Sequence, residues 1–171
     1  MADYGNADVL VVGCGNVLFG DDGFGPAVAE QLQQRSDLPP GVQVVNVGLG
    51  VRDVLFTIAL SEHRPSRIVV VDAVDEGRRP GEVVVRDVRD IPEREIGDLS
   101  MHLLPTSHLL RELHYTCGIA MSVVSVQAHD LPQEVAPGLS DVVRAAVPTA
   151  CDKILEVLRA ARPAGSALAE P

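Results

Sequence analysis

The stretch RIVVVDAV, residues 67–74, restricts the fold more than any other. A strand with one wet face alternates polar and apolar side chains. Ile68–Val71 does not alternate, so both faces of this strand must be covered, as they are when helices sandwich a parallel sheet. Val9–Val12, Val42–Val47 and the strand pattern at Gly118–Ala128 resemble it. Helix-length amphipathic patterns lie between these runs, at about Phe24–Arg35, Asp53–Ser61, Leu103–Thr116 and Ser140–Ala161. GEVVVRDV, residues 81–88, alternates more and reads as an edge strand. The order β-α-β-α-β-β-α-β-α predicts an α/β fold with a mostly parallel sheet, one antiparallel edge strand and helices on both faces.

The chain has 171 residues, which suits one domain. Residues 1–162 read as that domain and 163–171, PAGSALAEP, as a loose tail. Residues 89–101 form a long polar connection, a kind of segment that is usually functional or mobile. Aromatic residues are 3% of the chain, so the core must be aliphatic. The net charge of −10 argues against a nucleic-acid or anionic-membrane partner, since both need clustered Lys and Arg. The three cysteines, Cys14, Cys117 and Cys151, form neither a disulfide framework nor a CxxC metal pair. No leader pattern and no run of 18 apolar residues is present, so a soluble cytoplasmic protein is expected.

VVGCGNVLFGDDGFGPAVAEQL, residues 11–32, begins like a nucleotide loop and then departs from it. Gly13 and Gly15 fit the start of G-x-G-x-x-G, but Leu18 stands where the third glycine belongs. No Gly-Lys-Ser/Thr follows. Asp21 and Asp22 occupy the place a phosphate needs, and carboxylates there repel an anion. No bound nucleotide is therefore expected. One acid would serve as a helix N-cap. A pair exceeds that need and suits a cation, at the sheet edge where open α/β folds place their sites.

Two further groups point to the same edge. Asp72 closes RIVVVD, and a carboxylate ending an apolar strand needs a partner; the plainer reading is a turn residue. His102, in LSMHLLPTSHLL, precedes a helix that Ser100 could cap. His108 and Arg111 follow on that helix as partly solvated residues. His63 and His114 fall at the opposite edge, and His129 is a secondary candidate after the last strand. Two carboxylates and an imidazole with open positions suit nickel or zinc. No HExxH or G-x-S-x-G occurs. Cys14 reads as a small buried hydrophobe rather than a nucleophile. Gly48, Gly50 and Asn16 read as shaping the cleft floor, with a turn conformation as the simpler role for the glycines.

Taken together, residues 11–32, VVNVGLG, RIVVVDAVD and SMHLLPTSHLL resemble the hydrogenase maturation endopeptidases, in order and over nearly the whole chain. The resemblance implies a three-layer sandwich with a twisted five-stranded sheet. It implies an aspartyl-type endopeptidase that cuts a C-terminal extension from a nickel–iron hydrogenase large-subunit precursor after nickel insertion. The family's metal contacts fall on Asp22, Asp72 and His102, which are thus both catalytic and metal-binding candidates. Nickel would arrive with the substrate and act as the recognition element; zinc or another divalent ion could substitute. Asn46 stands where relatives often have Asp, Asp22 where some have Glu, and SMH where STH is usual. The expected partner is the precursor, bound by a monomer. A non-proteolytic nickel-binding chaperone and a nucleotide-binding oxidoreductase are the rival readings.

Overall fold

The computed structural model describes residue 4, residues 6–91 and residues 104–160, with backbone alone at 104–108. The expected C-terminal tail at 163–171, most of the polar connection, Ser100 and His102 lie outside the described residues.

Five strands form one sheet: β1 (Val9–Cys14), β2 (Val42–Gly48), β3 (Arg67–Val74), β4 (Val83–Asp87) and β5 (Ala120–Gln127). Their order is β2-β1-β3-β5-β4. The β1–β2, β1–β3 and β3–β5 pairs are parallel, and β4 runs antiparallel to β5 at the edge. The helices are α1 (Phe24–Gln33), α2 (Val51–Leu60), α3 (Leu104–Cys117) and α4 (Asp141–Ala160). The expected architecture holds, and most boundaries move by one or two residues. The period of two along β1 and β3 divides the core. Leu10, Val12, Ile68 and Val70 face α2 and α3; Val11, Val69 and Val71 face α1 and α4. Both faces are covered, which explains the unbroken apolar run in β3.

Two glycines set how closely α1 lies on the sheet. A Cβ on Gly25 would fall 2.1 Å from the Cys14 carbonyl oxygen and 2.5 Å from that of Val71. One on Gly13 would fall 2.4 Å from the Gly25 carbonyl oxygen. The motif's glycines therefore allow helix-on-strand contact and do not cradle phosphate. Gly25→Ala is expected to cost about 2–3 kcal/mol by overpacking, read as a lower urea midpoint at unchanged slope.

The edge strand is tied down by charge. Arg86 of β4 makes two 2.6 Å hydrogen bonds to Glu76, just beyond β3, and both side chains are largely covered. Hydrogen bonds from Arg86 hold the Glu76 carboxyl below its ordinary value of 4.5; burial opposes the shift and Arg78 adds to it. A depressed carboxylate contributes stability above its unfolded pKa and loses it as pH falls through the folded one. Glu76→Gln should therefore be less stable than the wild type at pH 7. The gap should narrow as pH falls below 4.5, in melting temperatures taken across that range.

Candidate active site

The strand order reverses between β1 and β3: the chain steps from β1 outward to β2, then crosses back to β3. Such a switch point opens a crevice at the carboxyl ends of the strands. The β1–β3 ladder ends at Gly13–Val71, and the β1–β2 register shifts at Cys14. Beyond this point β1 no longer covers β3, and the next residue of β3 is Asp72.

Asp72 is fully buried and its Oδ1 accepts the Ala73 N–H at 2.8 Å. It does not end its strand, as the sequence suggested. β3 continues to Val74, paired with β5, and Asp72 lies opposite Ser125. The polar environment comes from the loss of β1, not from the end of β3.

Asp22 lies on the short turn Gly20–Gly23, which packs against β3. Past β1 the chain turns at Gly15, φ +126°, where a Cβ would lie 1.8 Å from the Asp22 carbonyl oxygen. Only glycine allows that approach. The Asn16 N–H donates to Asp22 Oδ2 at 2.8 Å, while Asn16 Oδ1 accepts the Leu18 N–H at 3.0 Å. Asn16 thus shapes the loop through its backbone and its side chain. Asp22 is 5% exposed.

Both carboxylates act on one thiol. Burial pushes the Cys14 thiol well above its ordinary range, and the negative charges of Asp72 and then Asp22 push it further. The protonated thiol donates to the Val12 carbonyl oxygen. Cys14 is therefore unsuited to nucleophilic attack.

The sequence offers Asp21 and Asp22 as a pair of which one could cap a helix; the structure separates them differently. Neither caps α1, whose N-cap is Gly23 with no side-chain hydrogen bond. Asp21 is fully buried and faces the opposite way. It accepts the N–H groups of His129, Asp130 and Ser140 and the Ser140 hydroxyl, at 2.7–2.9 Å. It latches the β1 loop to the segment joining β5 and α4. No local pattern signals this role, because its partners lie more than a hundred residues away.

His102 lies outside the described residues. It precedes α3 by two positions in sequence, and the crossover into parallel β5 brings the first turn of α3 toward the carboxyl edge. His108 has no described side chain, while Arg111 is half-buried and donates to the Ile91 carbonyl. His63 is exposed before β3, and His114 Nδ1 lies 2.8 Å from the Ile119 carbonyl, both at the far edge. His129 has an exposed side chain and serves Asp21 through its N–H. Gly48, at φ +53°, needs its left-handed conformation and donates to Asn46 Oδ1; Gly50 has φ −86° and caps α2 without that need. Among the described residues no set of three His, Cys, Asp or Glu side chains is placed to hold a metal ion.

The hydrogenase maturation protease model, HycI, matches residues 26–157. The chain belongs to the hydrogenase maturation protease family. It is a peptidase by that membership. A Methanocaldococcus jannaschii protein whose name assigns it to hydrogenase maturation is 36% identical over 152 residues, covering 88% of this chain and 94% of its own. The coenzyme F420 hydrogenase subunit delta of Methanothermobacter thermautotrophicus is 33% identical over 154 residues, covering 88% and 94%. The hydrogenase maturating endopeptidase HybD from Escherichia coli superposes with a TM-score of 0.74 at 26% identity, over 89% of this chain and 92% of that one. The maturation protease fold thus includes this five-stranded sheet with its antiparallel edge. Among the described residues, no helix is long and apolar enough to cross a membrane.

Proposed function

We propose that this maturation protease removes a C-terminal extension from the large-subunit precursor of a nickel–iron hydrogenase after nickel insertion. One observation carries the reading: two buried carboxylates, Asp72 on β3 and Asp22 on the turn Gly20–Gly23 that packs against β3, lie at the switch point of a chain that belongs to this protease family. Asp22, Asp72 and His102 form the proposed ligand set. Two carboxylates and an imidazole fit a borderline divalent ion such as nickel, and zinc shares the preference. Three protein ligands leave coordination positions for the precursor or water, so a precursor that brings its own nickel is recognised by the metal.

Bound there, the substrate's ion polarises a carbonyl or acidifies a water. The chain's own part is to hold that ion against the scissile segment and, through a carboxylate, to take a proton. Asn16 fixes the orientation of Asp22 and the Ala73 N–H that of Asp72. The similarity to the F420 hydrogenase delta subunit favours a cofactor-reducing hydrogenase as the substrate's source. A reducing cytoplasmic location fits the free Cys14, Cys117 and Cys151 thiols. The protein is expected to work as a monomer that accommodates a large partner.

Mass spectrometry of nickel-loaded precursor incubated with the protein tests the reading. The expected result is precursor shortened at its C-terminus. A precursor bound but left at full length would instead identify a nickel chaperone.

A further inference from the structure

The crevice has an apolar rim that the chemistry at its floor does not require. Val17 and Leu18 follow β1, Leu49 follows β2, and Leu131 and Val135 follow β5; they are between 36% and 65% exposed. The three loops touch. Gly15 N–H donates to the Gly48 carbonyl, joining the β2 loop to the β1 loop. Ala136 N–H donates to the Leu18 carbonyl and Gly20 N–H to the Ala136 carbonyl, joining the β1 loop to the β5 loop. In strand order these loops stand on both sides of Asp72.

We propose that this rim docks the hydrogenase precursor itself, through apolar side chains that flank its metal-bearing segment; the inference rests on the peptidase reading. Charge selects the occupant. Residues 15–23, 48–50 and 129–139 contain no Lys or Arg, so no fixed positive charge on these loops attracts a phosphate or another anion. The floor carries Asp22 and Asp72, and the rim adds Asp130 and Glu134. A second copy of this chain would bring the same acids face to face, on a molecule of net charge −10. A polypeptide with apolar side chains around a bound cation complements both the rim and the floor. Exposed apolar residues gathered on three touching loops form the kind of patch that marks a protein-binding site.

The test compares the wild type with the double variant Leu18→Ser/Val135→Ser, and with Leu49→Ser on a different loop should the first fail to fold. Trimming of nickel-loaded precursor is followed by mass spectrometry over a range of precursor concentrations. Precursor binding is measured by biolayer interferometry, and each protein alone is sedimented. The expected result is a KM and a Kd raised roughly tenfold with kcat retained and the melting temperature unchanged. Unchanged KM and Kd in a folded variant overturn the proposal while leaving the peptidase reading intact. A wild-type dimer that the substitutions dissociate, with KM unaffected, assigns the rim to a second copy and also overturns it. Binding that weakens in the variant, from a wild type that trims nothing, upholds the docking surface and removes the peptidase reading. A wild type that neither binds nor trims overturns both.

Discussion

Asp72→Ala and Asp22→Ala are each expected to lower precursor processing by roughly 10³-fold or more while the protein stays folded. A bound ion contributes several kcal/mol of transition-state stabilisation, and each 1.4 kcal/mol is about tenfold in rate. Loss of one of the three proposed protein ligands would remove most of that contribution. Asp72→Asn separates charge from shape. It keeps an oxygen to accept the Ala73 N–H, loses the negative charge and puts an NH2 donor in place of the other oxygen. It should melt close to the wild type and yet process nothing measurable. His102→Ala should match the two aspartate variants, because it removes the third proposed ligand. These expectations are checked by quantifying shortened precursor under single-turnover conditions, with melting curves alongside. Full processing by all of these variants would remove the proposed ligand set.

Asp21→Ala is expected to fail differently, by unfolding. Asp21 is fully buried and satisfies three backbone N–H groups and the Ser140 hydroxyl. Hydrogen bonds to a charged acceptor contribute about 1.5–3 kcal/mol each, and each buried donor left unpaired costs about 1–3 kcal/mol. These terms are not additive, and a net loss of about 4–5 kcal/mol is a fair expectation for a broken buried network. That is a large part of the stability of an ordinary domain. Ser140→Ala removes only the hydroxyl donor and should cost about 1 kcal/mol. Urea denaturation of both variants gives the comparison. Neighbouring acids in one motif thus give opposite phenotypes: Asp22→Ala a stable, inactive protein and Asp21→Ala an unstable one. Equal stabilities for the two would contradict the division of roles.

That division marks where sequence reading stops. β3 was legible because a run buried on both faces leaves few architectures open, and β4 because its alternation and charges belong to an edge. The sheet edge that holds the acids was legible too, since carboxylates after apolar strands cannot be buried unpaired. The start of α2 was displaced, because Gly50 caps the helix ahead of the apolar pattern around Asp53. Asp72 reads as a strand end because the sequence cannot show that β1 leaves the ladder first; only the register does. Asp21 reads as one of a pair with Asp22 because its partners sit on a segment far along the chain. Its role arises from tertiary contact, and no local propensity carries it.

The central claim is that nickel in the precursor is what this crevice recognises. The most direct measurement incubates the protein with nickel-loaded and nickel-free precursor side by side and reads both by intact-mass spectrometry. The account predicts that the loaded precursor loses its C-terminal segment and the nickel-free precursor keeps it. Equal cleavage of the two would contradict it.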